Sequence, residues 1–277
     1  MGLKSLIPNP IKTALKNIIP ISVIDQLEII TGERDVLTPP SRMIFIGDGD
    51  FKKVGELTVS HIQELVGLKA SDRVLDVGSG IGRVAIPLTK HINPPGGYDG
   101  IEIVKEGVDW CNKEVNKRFP HFRFHHLNVY NKMYNPNGTM QGHELRFPFD
   151  ASTFDLVILN SVFTHMLEAD FERYLAEIAR VLKPGARGYI TMFLLNEESR
   201  KLNAAGKNKY DRRLTPFTEK TMVHLQDLPE SMIAFDETYA RESFAKAGLT
   251  IKDIKFGNWC GRSNTVDYQD LLYITKK

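Results

Sequence analysis

The chain has 277 residues, of which 42% are hydrophobic and 25% are charged, a globular composition long enough for one α/β domain with insertions. Its formal net charge of +2 gives no reason to expect general affinity for nucleic acid. Because it has only two cysteines, Cys111 and Cys260, the sequence excludes a disulfide framework or a cysteine metal cluster and favours a reducing, cytoplasmic location.

Residues 1–54 are predicted to be an N-terminal extension that is irregular and rich in proline as far as residue 50. Its first 24 residues place three lysines among leucines and isoleucines, interrupted by prolines, and no small-residue cleavage site follows. A signal peptide and a membrane-spanning helix are therefore not expected. Residues 1–24 either make weak contact with a membrane surface or form a helix that packs on the domain or on a partner subunit.

Residues 55–277 are predicted to form one domain in which strands alternate with helices. A helix is expected over 57–66, followed by strand 73–77, helix 82–92, strand 98–103, helix 104–119, strands 122–127 and 154–159, helix 171–182, strand 187–195, helix 237–247 and strands 249–256 and 268–275. Such alternation predicts a doubly wound α/β fold, with a mostly parallel seven-stranded sheet and helices on both faces. The last two strands leave no room for a helix between them and should pair as an antiparallel hairpin.

A glycine loop follows the first predicted strand, in the segment Asp76-Val77-Gly78-Ser79-Gly80-Ile81-Gly82. Glycines let a ligand approach the backbone closely because no Cβ intervenes. Glu102 ends the next strand, where a carboxylate can accept hydrogen bonds from both hydroxyls of a ribose. A dinucleotide and S-adenosylmethionine both suit this pattern. Asp76 favours the second, because an acid here would repel a pyrophosphate, unless Asp76 only caps the turn.

Four segments resemble motifs of the class I S-adenosylmethionine-dependent methyltransferases, namely 75–82, 98–102, 149–157 and 180–185. The full-length pattern is similar to bacterial small-molecule and sugar methyltransferases. The resemblance implies that S-adenosylmethionine is the cofactor. It further implies a binding site made of Asp76, Gly78, Ser79, Gly80, Glu102, Ile103, Asn128, Val129 and Asn160.

The resemblance also implies roles for these side chains. Glu102 should hold the ribose hydroxyls and Ile103 should pack on the adenine. Asn128 and Val129 should contact the adenine edge, although the family often has an acid where this chain has Asn128. Asn160, at the end of the fourth strand, should lie near the transferred methyl group.

Methyl transfer by in-line displacement mainly requires alignment and exclusion of water, and it needs a base only when the acceptor is a hydroxyl. His165 follows the fourth strand and is the candidate base, with capping or packing of the next helix as the alternative. The adjacent His125 and His126 point to opposite faces of a strand, so no metal site is predicted.

Two insertions are candidates for choosing the acceptor. One covers 130–146, and the other, 196–236, is predicted to be a substrate lid. Basic residues between 200 and 213 can receive a phosphate or a carboxylate, although a solvated loop also explains them. Trp259, in the tail motif 257–262, either stacks on a sugar or an aromatic ring or packs in the core.

The sequence thus predicts methyl transfer to an oxygen of a small-molecule or glycan acceptor, with no nucleic-acid partner. An RNA or protein methyltransferase is one alternative, but no basic domain is appended and Asn160 is followed by Ser161-Val162-Phe163 instead of a Pro-Pro-Tyr or Pro-Pro-Phe signature. A non-catalytic S-adenosylmethionine-binding protein is a second alternative. A nicotinamide dehydrogenase is a third alternative, although this chain lacks the third glycine that the dinucleotide-binding motif has in register.

Overall fold

The computed structural model describes residues 21–47 and 49–277, which fall into two compact units, one ending at Gly47 and the other extending from there to Lys277. The first unit contains helix α1 (Ile21–Ile30), where the sequence predicts irregular structure. Arg42 stabilises this unit through two hydrogen bonds to the Asp25 carboxylate, 2.5 and 2.7 Å long. The predicted membrane contact falls almost wholly on residues 1–20, outside the described residues. Within the described ranges, no helix has the length and apolar character needed to cross a bilayer.

Eleven strands of the second unit form two sheets within the described residues. They are β1 (Arg73–Val77), β2 (Gly97–Glu102), β3 (Phe122–His126), β4 (Phe154–Leu159), β5 (Leu182–Met192), β6 (Leu194–Leu195), β7 (Thr215–Pro216), β8 (Thr221–Val223), β9 (Ile233–Asp236), β10 (Leu249–Lys255) and β11 (Asp270–Lys276). The larger sheet has the order β3-β2-β1-β4-β5-β11-β10. Its first five strands are parallel, and β11 is antiparallel to both β5 and β10. The predicted fold class and C-terminal hairpin are therefore confirmed.

Helices pack around this sheet and close its core. They are α2 (Phe51–Val66), α3 (Ala85–Leu88), α4 (Lys105–Cys111), α5 (Glu168–Val181), α6 (Glu197–Ala204) and α7 (Glu237–Lys246), and a wider π turn continues α4 over Asn112–Asn116. On α5, the buried Phe171, Leu175 and Ile178 lie on one stripe that faces the core. This stripe gives α5 the helical periodicity that predicts it from the sequence.

Two helix predictions are wrong in extent. Helix α2 begins at Phe51 because the Asp50 carboxylate caps it, accepting the N–H groups of Lys52 and Lys53 at 3.0 Å each. The predicted domain boundary at residue 54 therefore falls inside its first turn. The helix predicted over 82–92 is regular only at Ala85–Leu88, since Gly82 has a φ of 82° and Pro87 has no N–H to donate.

Strands β7, β8 and β9 lie in the predicted lid, where the sequence predicts no strand, and they form a small sheet with β6, which directly precedes the lid, in the order β6-β9-β8-β7. Strands of two to four residues carry too little periodicity to be recognised. Trp259 is fully buried in the apolar cluster that supports this sheet, and its indole N–H donates to Asp270 at 3.0 Å. Of the two alternatives for Trp259, packing in the core is therefore the correct one.

Candidate functional site

The glycine loop after β1 is tied to the end of β2. The N–H groups of Gly78 and Ser79 both donate to the Ile101 carbonyl, at 2.8 and 3.1 Å. Gly78 has a φ of 75°, and a Cβ built on it lies 2.5 Å from Cγ2 of Val162. Glycine is therefore required here both for the left-handed backbone and for the close approach of the segment that follows β4.

Glu102 lies at the end of β2 with its carboxylate turned toward the glycine loop. Its Oε2 accepts the Gly80 N–H at 2.8 Å, and its Oε1 accepts the N–H groups of Ile103 and Val104 at 2.7 and 2.8 Å. Burial raises the pKa of Glu102, while the three backbone donors oppose that shift. Because a carboxylate has about four lone-pair directions, Oε2 can accept one further donor.

Asp76, near the end of β1, is buried beside this carboxylate. Its Oδ2 accepts the hydroxyl of Tyr98 at 2.6 Å. Burial raises the pKa of Asp76 to about 7, the charge of Glu102 adds to the shift, and the Tyr98 hydrogen bond opposes it. The neighbouring Ser79 hydroxyl is also buried and has no hydrogen-bond partner among the described residues. Such a group is satisfied when a polar ligand approaches it.

Replacing Asp76 with asparagine is expected to remove one pH-dependent component of stability. The native carboxyl binds its proton more tightly than the unfolded one, so its contribution to the free energy of unfolding falls as the pH rises from about 4 to about 7, by at most about 1.4 kcal/mol per pH unit. Urea unfolding of both proteins across this range measures the difference. A wild-type minus Asp76→Asn difference that stays flat with pH would show that Asp76 is ionised normally.

The three residues predicted to contact the adenine follow β2 and β3, which are parallel neighbours, so they lie at the same sheet edge as the glycine loop. Ile103 is half-buried and Val129 is buried. Asn128 is exposed, and its amide bonds Thr139 and Asn135 at 3.1 and 3.3 Å. The structure thus ties Asn128 to the 130–146 insertion.

The end of β4 carries a polar cluster that sequence reasoning missed. Ser161 follows the half-buried Asn160 and has a φ of 63°, a strained conformation for a residue other than glycine. Its N–H donates to the Thr191 hydroxyl, and its own hydroxyl accepts the Gln269 amide, both at 2.7 Å. A positive φ at a residue other than glycine leaves no signal in a sequence, and both partners are distant in the chain, one on β5 and the other just before β11.

His165 lies just beyond this cluster and is enclosed by both insertions. Its Nδ1 is 2.7 Å from the carbonyl oxygen of Glu230, which can only accept, so Nδ1 carries the proton and the lone pair is on Nε2. That Nε2 is 3.5 Å from the hydroxyl of Tyr134. Burial lowers the pKa of His165, which keeps the ring neutral at pH 7. The geometry is compatible with accepting a proton at Nε2.

A second histidine, His61, contacts a carboxylate near the same edge of the sheet. Nδ1 of His61, on α2, is 3.3 Å from the carboxylate of Asp267, two residues before Gln269. The two residues are far apart in the chain, and no spacing in the sequence links them. Across 21–47 and 49–277, no group of three or more histidine, cysteine, aspartate or glutamate side chains is placed to hold a metal ion.

Comparison with known proteins identifies relatives of the central part of the chain. Residues 75–190 match the family described as a methyltransferase domain. The chain is 33% identical over 113 residues to a phthiotriol/phenolphthiotriol dimycocerosates methyltransferase of Mycobacterium tuberculosis, covering 41% of this chain and 34% of that protein. It is 31% identical over 102 residues to a 23S rRNA uracil C5-methyltransferase of Photobacterium profundum, covering 34% and 22%.

The match to these curated relatives is partial, because the chain spans about a third or less of their length. Among solved structures, a Pyrococcus horikoshii protein superposes with a TM-score of 0.56 at 17% identity, covering 85% of this chain and 95% of that one. At this identity the likeness shows a common fold.

Proposed function

Residues 75–190 form a methyltransferase domain of the class I, S-adenosylmethionine-dependent kind, and from this premise we propose that the chain methylates an oxygen of a small-molecule or glycan acceptor. The observation that carries the proposal is the buried carboxylate of Glu102, turned toward the Gly80 N–H of the glycine loop. The two buried free cysteines support a cytoplasmic location for this activity.

The residues around Glu102 fit the cofactor. The free lone-pair direction on Oε2 suits a ribose hydroxyl, and the unpartnered Ser79 hydroxyl provides a further polar contact. Asp76, with a pKa raised by burial, would be stabilised in its charged form by the α-ammonium group. When bound, S-adenosylmethionine supplies a methyl group on a positively charged sulfur, so the residues of this chain have to align the acceptor and exclude water.

Transfer to oxygen is supported by His165, whose Nε2 lone pair can take the proton of an acceptor hydroxyl. We propose that 196–236 is the lid over this acceptor. Two contacts support this: the Glu230 carbonyl accepts from His165, and the Asp227 carbonyl accepts from Lys132 at 2.6 Å. The relatives are named for two different acceptors, a phthiotriol dimycocerosate and an rRNA, so their names do not choose between acceptor classes. The proposed acceptor class is therefore argued from the residues of the site.

Calorimetric titration of the full chain with S-adenosylmethionine, S-adenosylhomocysteine and NAD tests the cofactor. Micromolar binding of the first two ligands, and none of NAD, is expected. Binding of NAD alone would overturn the proposal. Cofactor binding without methyl transfer to any pool of hydroxylated acceptors would favour a non-catalytic binding protein.

We expect Glu102→Ala to weaken S-adenosylmethionine binding by roughly 1–3 kcal/mol, the scale of hydrogen bonds lost to a charged group. The substitution also leaves the N–H groups of Gly80, Ile103 and Val104 without their acceptor. Titration calorimetry measures the change. Glu102→Gln, which keeps one side-chain oxygen, serves as a second variant in case the alanine protein does not fold.

Glu106 provides the matched control, because it is an exposed acid in the first turn of α4, four residues away. Glu106→Ala should bind the cofactor as tightly as the wild type does. Equal affinities for Glu102→Ala and the wild type would remove Glu102 from the binding site.

A further inference from the structure

Arg212 occupies a strained turn of the lid segment. The two residues before it, Tyr210 and Asp211, have φ values of 58° and 53°. Successive left-handed residues other than glycine are costly and persist only where the surroundings hold them. Here the Lys209 N–H donates to the Trp259 carbonyl at 3.0 Å, and the Arg212 N–H donates to the Lys209 carbonyl at 3.2 Å. The strained turn therefore fixes the direction in which Arg212 leaves the backbone.

Arg212 lies against two tyrosines, and we call these three residues the Arg212 cluster. Its guanidinium carbon is 5.6 Å from the ring centroid of Tyr210, and that ring is 5.5 Å from the ring of Tyr268. The Tyr268 hydroxyl is buried and makes no hydrogen bond of ordinary geometry within the described part of the chain. Burial raises the pKa of Tyr268, and both the charge of Arg212 and its side-chain contact with the hydroxyl oppose that shift.

The Arg212 cluster lies beside the candidate reaction site. Tyr268 directly precedes Gln269, whose amide donates to Ser161 just after β4. From the other side, the charge of Arg212 contributes to the lowered pKa of His165, so the guanidinium is within electrostatic reach of that ring. The Arg212 cluster thus lies next to the residue that contacts Ser161, just after the end of β4.

Two other arginines of this region pair with acids. Arg200 pairs with Asp236 at 2.9 Å, and Arg262 pairs with Glu198 at 2.8 Å. In the described ranges, Arg212 forms no ion pair with an acid, although it is half-buried. A partly desolvated guanidinium beside a tyrosine hydroxyl is a favourable arrangement for a carboxylate or a phosphate, which accepts from both groups.

We propose that the Arg212 cluster is an anion-binding subsite for the acceptor, in which Arg212 and the Tyr268 hydroxyl hold a phosphate or carboxylate group and the exposed ring of Tyr210 covers it. This inference rests on the proposed methyltransferase function. It narrows the acceptor class to molecules with an anionic group near the methylated oxygen.

The test uses inorganic phosphate and acetate as separate probes, each titrated into the ¹⁵N-labelled full chain at constant ionic strength and followed by NMR. Saturable shifts are expected for at least one of the two anions. Arg212→Gln should weaken this binding about tenfold or more, the scale of a lost charge-assisted contact. Arg212→Lys should retain part of it, and Tyr268→Phe should cause a smaller loss.

Arg213→Gln is the matched control, since this neighbouring arginine donates to the Ala204 carbonyl at 3.4 Å and lies outside the cluster. It should bind the anion as the wild type does. Equal losses in the Arg212 and Arg213 variants, or no saturable binding to the wild type, would overturn the subsite. S-adenosylhomocysteine affinity is measured on each protein and should not change. If the wild-type protein did not bind S-adenosylhomocysteine, the methyltransferase proposal would be overturned, whatever the result of the anion titration.

Discussion

Asp270→Ala is expected to lower the free energy of unfolding by roughly 3–5 kcal/mol, the cost of removing one partner from a buried ion pair. Asp270 is fully buried at the start of β11. It accepts the N–H groups of Leu194 and Gly257 at 2.7 Å each, and the indole N–H of Trp259. Arg262 lies 3.4 Å away. Without the carboxylate, three buried donors and a buried cation lose an acceptor together.

The effect should extend from the core to the lid, because Leu194 begins β6 and Arg262 also bonds Asn196 at 2.9 Å, immediately before α6. Asp270→Ala should therefore increase amide hydrogen exchange in 194–204 more than in β1 or β4. Urea unfolding gives the free-energy change, and hydrogen exchange locates it.

Asp253 supplies a matched control for the loss of a carboxylate. It lies on β10 and pairs with Lys255 at 2.8 Å, with both side chains about half exposed. An exposed pair of this kind contributes roughly 0–1 kcal/mol, so Asp253→Ala should change stability little. If the Asp270 and Asp253 variants lost the same stability, the network around Asp270 would not hold the lid.

The sequence predicts the centre of the fold well because local chemistry specifies it. Strands β1 and β4 have the predicted bounds, since each is a short apolar run between polar residues and both are buried by helices on the two faces of the sheet. The glycine loop and Glu102 are found from their spacing alone, because one strand–loop–strand unit contains them. The hairpin β10–β11 is predicted for a similar reason: too few residues separate its strands for a helix.

The rest of the site depends on contacts between distant segments, which no local pattern reveals. Asp270 lies inside the strand predicted over 268–275 with no sign of a special role, yet its partners Leu194 and Arg262 come from elsewhere in the chain. In the sequence Ser161 is an ordinary polar residue, and its partners Thr191, on β5, and Gln269, just before β11, are brought to it only by the fold. In the sequence Arg212 is one of several basic residues between 200 and 213, and only the fold shows that it lies against Tyr210 and near Tyr268.

His165 is the proposed base for methylation of an acceptor hydroxyl. His165→Gln is expected to lower kcat by about 10²–10⁴-fold, the usual contribution of a general base, with little change in S-adenosylmethionine affinity. Only the neutral ring has a lone pair on Nε2, so wild-type kcat/KM should fall as the pH drops through the imidazole pKa. Because burial lowers that pKa, the midpoint of the fall should lie below the usual imidazole value of about 6.5.

Transfer of tritium from methyl-labelled S-adenosylmethionine into an extract of phosphorylated and carboxylated glycans measures this activity, and ¹⁵N NMR reports the tautomer of His165 directly. Tyr134→Phe is the control, because it removes the hydroxyl 3.5 Å from Nε2 and leaves the imidazole in place. It should retain most of the turnover. If His165→Gln kept wild-type kcat across the pH range, the ring would only pack the lid against β4. Alignment of the acceptor alone would then account for the reaction, as expected for an acceptor atom that need not lose a proton before it attacks.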